Sequence, residues 1–138
     1  MKRSTPVSEI MSKDVIALRR SDNLERAEML FKRYNIRHIP VVSSESIIGM
    51  LSYTDLLRIS FADATDNGSS VDTVVYNMFT IEQVMTKSPV SVSSDTTIKE
   101  VAEILAKNEF HALPVVADSL LVGIVTTTDL INYLLKQY

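Results

Sequence analysis

Ile39-Pro40-Val41-Val42 followed by Gly49-Met50-Leu51-Ser52-Tyr53-Thr54-Asp55-Leu56 returns 74 residues later as Leu113-Pro114-Val115-Val116 and Gly123-Ile124-Val125-Thr126-Thr127-Thr128-Asp129-Leu130. Met11/Met85, Lys13/Lys87, Pro40/Pro114, Gly49/Gly123 and Asp55/Asp129 keep the same shift, so the two copies align without a gap. A duplication of this length predicts two like supersecondary units that pack on each other.

Each copy reads strand, helix, strand, strand, helix, which sets the fold class as α/β of the α+β type. The opening strands are expected at Val15 to Leu18 and Val90 to Val92. In the first copy Asp22 or Asn23 caps a helix with Leu24, Ala27, Leu30, Phe31 and Tyr34 at helical spacing; in the second, Asp95 to Thr97 precede Ile98, Val101, Ala102 and Leu105. Two short apolar strands follow in each copy, Ile39 to Val42 with Ile47 to Ser52, and Leu113 to Val116 with Leu120 to Thr126, joined by polar turns. The expected organisation is a first repeat over 1–60, a linker over 61–80 and a second repeat over 81–138. Asp66-Asn67-Gly68-Ser69-Ser70 marks the linker, whereas Val74, Val75, Tyr76, Met78 and Phe79 are apolar enough to pack as a short helix or at an interface.

The 138 residues, 46% of them hydrophobic, suffice for one core or for two half-domains sharing one. A net charge of −3 argues against bulk electrostatic binding to nucleic acid or to an acidic membrane. The absence of cysteine excludes disulfides, thiolate catalysis and zinc–thiolate sites. No signal peptide and no apolar run near the roughly 20 residues of a membrane span is present, so a cytoplasmic protein is expected.

The repeated Gly-h-h-Ser/Thr-x-Thr-Asp, with h apolar, puts two hydroxyls and a carboxylate where a strand hands over to a helix. Unpaired N–H groups at a helix start, with hydroxyls, suit a phosphate, and a carboxylate suits the two hydroxyls of a ribose. A nucleotide offers both. The alternative is structural: Thr54 and Thr128, just before an Asp, are also ordinary N-cap residues.

The two gapless copies, with the openings Glu9-Ile10-Met11-Ser12 and Gln83-Val84-Met85-Thr86, resemble a tandem pair of CBS domains, the cystathionine-β-synthase-type repeat, over about Val7 to Ser60 and Ile81 to Tyr138. That resemblance implies a pseudo-twofold module whose clefts between the repeats hold adenosine-containing ligands such as AMP, ATP, NAD or S-adenosylmethionine; no cofactor is required, and no carboxylate cluster demands a metal, although a cation such as magnesium could accompany a polyphosphate. It implies ribose contacts from Asp55 and Asp129, and phosphate contacts from Ser52, Thr54, Arg37 and His38 in one copy and from Thr126, Thr128 and His111 in the other. The base is expected against Val15, Ile16, Ala17 and Ile39, or Pro89, Val90, Ser91 and Leu113, positions that plain core also accounts for. Lys13 and Lys87 are matched cations that either reach a phosphate or stay solvated.

Arg37-His38 in the first copy stand against His111-Ala112 in the second, so the first site is expected to prefer phosphorylated ligands. The leading expectation is a non-enzymatic sensor read out by its own oligomer or by a separate effector protein; the resemblance implies a homodimer through the helices, whose face Leu56, Leu57, Ile131, Leu134 and Leu135 can supply. The alternative is a structural or dimerisation module with no bound ligand. No nucleophile–base pair or metal-ligand spacing points to an enzyme.

Overall fold

The computed structural model describes residues 4–62 and 76–138. The Asp66-to-Ser70 linker stretch, Val74 and Val75 lie outside the described residues. The chain forms two compact units, one over Ile16–Ser88 and one that joins Pro89–Tyr138 to the residues up to Val15.

In the Ile16–Ser88 unit, β1 (Leu18–Arg19) leads to α1 (Leu24–Tyr34), the hairpin β2 (His38–Ser43) and β3 (Ser46–Ser52), and α2 (Tyr53–Ala62). Asn23, not Asp22, caps α1: its side chain accepts the Arg26 N–H at 2.8 Å, while Asp22 accepts the Arg19 N–H at 2.7 Å. The αL backbone of Asn35 (φ 52°) ends the helix. The strand pairs are β1 parallel to β2 and β2 antiparallel to β3, with a bulge opposite Val41–Val42. Leu18, Leu24, Ala27, Ile39, Val41, Leu51 and Leu56 form the centre of the core.

The opening segment of the second repeat completes this unit. Thr80 and Gln83 form a capping box on α3 (Ile81–Val84), and β4 (Thr86–Lys87) pairs with β3 through Gly49↔Lys87 and Met50↔Thr86. Ile81 and Met85 join the core, as does Tyr76 from the helical residues 76–78, whose hydroxyl donates to Glu28 Oε2. Phe79 packs against the same core, in keeping with the expectation that this end of the linker packs.

The other unit repeats the plan with β5 (Val92–Ser93), α4 (Ile98–Lys107), β6 (Ala112–Ala117), β7 (Leu120–Thr126) and α5 (Thr127–Lys136). Thr97 and Glu100 form the capping box of α4. Here the chain's opening residues fill the place that residues 81–88 fill in the first unit. Pro6 bridges Thr97, Ser12 bridges Ile124, and Val7 is fully buried with Val101, Leu113, Val115 and Val125. Each repeat therefore gives its opening segment to the body of the other.

Two departures from the sequence expectations have clear causes. The first strands are only two residues long, because β1 and β5 pair just with Val41–Val42 and Val115–Val116. Leu56, expected on a dimer face, is 1% exposed: it lies in the first turn of α2, where the core takes it in.

Candidate functional site

In both units the strand-to-helix corner is closed by one reciprocal device. The Ser52 N–H donates to Asp55 Oδ2 (3.0 Å), and the Asp55 N–H donates to Ser52 Oγ (3.0 Å). Thr126 and Asp129 do the same at 2.8 and 3.1 Å. The capping residues are thus Ser52 and Thr126, two positions before Thr54 and Thr128, which begin no helix and stand exposed in its first turn. This corrects the structural alternative drawn from the sequence: the signal was the Ser/Thr-x-x-Asp spacing of a capping box, not the Thr-Asp pair.

The consequence for binding is direct. Ser52 and Thr126 hydroxyls accept from the backbone and keep their own protons to donate. Each aspartate spends Oδ2 on the cap. Asp55 Oδ1 faces Arg58 Nη1 at 3.5 Å, and Asp55 is only 15% exposed while Arg58 is 73% exposed. The second repeat has Asn132 at the position of Arg58, so its aspartate lacks that neighbour.

The residues ahead of the proline arrive beside the same corner. The Tyr53 N–H donates to the Arg37 carbonyl at 2.9 Å, and the Thr127 N–H to the His111 carbonyl at 2.9 Å. His38 lies opposite Ser52 in the β2–β3 register, as Ala112 lies opposite Thr126, so each pair shares one face of its sheet. Arg37 and His111 are exposed and His38 is half-buried. Within one unit the structure therefore brings together Arg37, His38, Ser52, Thr54 and Asp55, and within the other His111, Thr126, Thr128 and Asp129.

The candidate base contacts differ in burial. Ile39 and Leu113 are fully buried in the two cores and Ile16 packs against the first. Val15 falls in one compact unit and Ile16 and Ala17 in the other. Pro89 is half-buried, and Val90 and Ser91 are exposed, Val90 at 50%. Lys13 and Lys87 are both exposed.

The role of the repeated glycine escaped the sequence reading. A Cβ on Gly49 would sit 2.2 Å from Met85 Sδ, and one on Gly123 would sit 2.5 Å from Met11 Sδ and 3.0 Å from the Ser12 carbonyl oxygen. Glycine is needed there because the opening segment's methionine lies against the strand. Met11/Met85 and Gly49/Gly123 recur at one spacing, which was the available signal. Among the described residues no group of histidines, cysteines and carboxylates suits a metal ion, and no helix is long and apolar enough to cross a membrane.

Paired β-α-β-β-α repeats, each closing on a capped Ser/Thr-x-Thr-Asp corner, define a tandem-repeat module. The chain belongs to the CBS domain family, whose model matches residues 7–62 and 81–136. It is 30% identical over 130 residues to protein MJ1225 of Methanocaldococcus jannaschii, covering 94% of this chain and 42% of that protein. Among solved structures it resembles the CBS domain pair of protein MJ0100 in complex with 5′-methylthioadenosine and S-adenosyl-L-methionine (TM-score 0.81, 26% identity, 97% of this chain and 98% of that one). It also shares its fold with CBSX2 in complex with AMP (TM-score 0.80, 23% identity, 96% and 98% covered). The chain spans less than half of the length of MJ1225, and only 25% and 22% of related proteins named homoserine O-acetyltransferase and inosine-5′-monophosphate dehydrogenase.

Proposed function

We propose that this chain is a non-enzymatic regulatory module that binds adenosine-containing ligands, of the AMP, ATP, NAD or S-adenosylmethionine class, at the Ser/Thr-x-Thr-Asp corners. The observation that carries the reading is the corner itself, built twice. Capping falls to Ser52 and Thr126, which leaves Thr54 and Thr128 exposed at the first helical turn beside an aspartate that keeps one carboxylate oxygen outside the cap. Such a turn offers N–H and hydroxyl donors to a phosphate and a carboxylate to a ribose. The adenosine-type ligands of the MJ0100 domain pair support the same class here.

The two sites are not equivalent. Arg37 and His38 flank the first corner where His111 and Ala112 flank the second, and six of the seven arginines (Arg19, Arg20, Arg26, Arg33, Arg37 and Arg58) fall within Ile16–Ser88. The first site takes the more highly charged ligand. A charge-assisted phosphate contact contributes about 1.5–3 kcal/mol, or one to two decades in affinity.

A homodimer goes with this reading, supported by Ile131, Leu134 and Leu135 at 52%, 45% and 64% exposure on α5 and by Leu57 on α2, as do a separate effector protein and a cytoplasmic setting. A structural module with no ligand is the second reading. It is favoured by the cap, since Asp55 and Asp129 already have a stabilising task.

A thermal-shift panel of AMP, ATP, NAD, S-adenosylmethionine and adenosine separates the two. A ligand at 100 times its dissociation constant adds about 2.7 kcal/mol of stability, whereas no shift with any member leaves the structural reading. Titrating ATP and adenosine into Asp55→Ala and Asp129→Ala then tests the asymmetry. Equal phosphate preference at both surviving sites refutes it.

A further inference from the structure

Beside the first corner lies a cavity of about 170 Å³ lined by Phe31, Lys32, Asn35, Ile36, Arg37 and Tyr53. It shares Arg37 with the site just described and adjoins it through Tyr53, the first residue of α2, which lies between Ser52 and Thr54 and whose N–H donates to the Arg37 carbonyl. Among its lining residues Phe31 is 3% exposed and meets the Tyr53 ring edge-on, centroids 5.5 Å apart. Its rim carries two cations and an amide.

The equivalent positions of the second repeat are Leu105, Ala106, Glu109, Phe110, His111 and Thr127. Both permanent cations are gone there and a carboxylate has entered. Phe31 and Ile36 are replaced by the apolar Leu105 and Phe110, whereas the Tyr53 ring gives way to Thr127, so the copies differ in one aromatic ring and in the charge of the rim. The negative end of α1 accounts for a lysine in its last turn. It does not account for Arg37, which lies beyond the helix, nor for the pairing of both cations on one cavity.

Lys32 is held only lightly where it is. Its Nζ lies 3.3 Å from Glu28 Oε1 in an i,i+4 pair with the lysine 65% exposed, and such pairs contribute little. Arg33, the neighbouring cation, lies over the Tyr34 ring instead, 5.6 Å from its centroid. Lys32 is free to exchange Glu28 for a stronger anion.

We propose that Lys32, with Arg37, forms a polyphosphate subsite on the first repeat that reads the number of phosphates on an adenine nucleotide, and that the second repeat lacks it. This rests on the adenosine-ligand reading above. Arg37, next to the corner, meets the phosphate nearest the ribose; Lys32, in the last turn of α1 on the same cavity, meets the distal ones. The first site thereby favours a triphosphate over a monophosphate, and the second does not discriminate in that direction.

The test is calorimetric titration of the full chain with AMP, ADP, ATP and inorganic tripolyphosphate, in an Asp129→Ala background and with Lys32→Ala and Lys32→Arg added. Lys32→Ala is expected to weaken ATP and tripolyphosphate about tenfold, to leave AMP within about twofold, and to leave the urea midpoint unchanged. Lys32→Arg restores ATP binding. Equal loss of AMP and ATP, or no loss of either, overturns the subsite while leaving the adenosine reading intact. Binding of tripolyphosphate that depends on Lys32, with no binding of AMP, keeps the subsite and removes the adenosine reading.

Discussion

Replacing Gly49 by alanine tests whether the opening segment of the second repeat is held by contact with the glycine. The added Cβ would lie 2.2 Å from Met85 Sδ and 2.9 Å from its Cε and Cγ, against an optimal separation of about 3.5–4 Å. The thioether must withdraw by more than an ångström, and Met85 is only 9% exposed. Overpacking of this kind costs about 1–3 kcal/mol. Met85→Ala alone costs about 2–5 kcal/mol through lost burial and the cavity it leaves. In the double variant the clash is gone and the new methyl occupies part of that cavity. The pair should therefore cost about 1–3 kcal/mol less than the sum of the two single changes, well above the 0.3–0.5 kcal/mol scatter of independent sites. Urea unfolding of the four proteins, followed by circular dichroism, measures this. Additive costs would show that Met85 does not press on Gly49, and the account of the repeated glycine would fall with them.

Other changes probe other parts of the molecule. Ser52→Ala and Thr126→Ala should each lower stability by about 1 kcal/mol, whereas the exposed Thr54→Ala should leave the urea midpoint within about 0.5 kcal/mol and weaken nucleotide binding; a stability loss at Thr54 equal to that at Ser52 would refute the assignment of caps. Glu45 and Ser119, the second turn residues of the two hairpins, have φ of 71° and 69°, so Glu45→Gly or Ser119→Gly should stabilise the chain by about 0.5–1 kcal/mol, and a lowered melting temperature would count against strain there. A fragment spanning 16–88 should fold cooperatively on its own, while one spanning 7–62 lacks Tyr76, Ile81 and Met85 and should not; a folded 7–62 fragment, seen by circular dichroism and thermal melting, would show that the borrowed segment is dispensable.

The order of elements was legible because the duplication supplied two independent readings of every strand and helix. Where one copy was ambiguous, as at Asp22 or Asn23, the counterpart Thr97 is one residue before the first apolar helical position, and the structure places the cap there in both. The hairpin turns were legible for the same reason, with Ser44-Glu45 and Asp118-Ser119 all at positive φ.

What escaped was non-local. Nothing in the spacing of Glu9 to Ser12 says that these residues pack on Ile124 rather than on their own repeat, since both repeats offer the same strand. The site was legible as a set of residue types but not as bonds. Ser52 and Asp55 stand at capping-box spacing, but the adjacent Thr54-Asp55 pair carries an equally plain N-cap signal, and the partner of Asp55 that differs between copies, Arg58, lies outside the repeated pattern. Lys32 escaped because it reads as an ordinary solvated helix residue until the chain beyond Asn35 turns Arg37 toward the same cavity.

The exchange of opening segments bears on how such a chain comes into being. A single repeat carries an opening that fits the body of another copy, so it reaches a complete core only by meeting a second molecule or by being fused to one. Fusion in tandem turns an association that depends on concentration into one that does not. It also imposes an order on synthesis: the first body is completed once residue 88 has emerged, while Pro6 to Ser12 wait for Thr97 and for Ile124 in β7. The segment that opens the first repeat thus finds its place only after the body that follows it is complete.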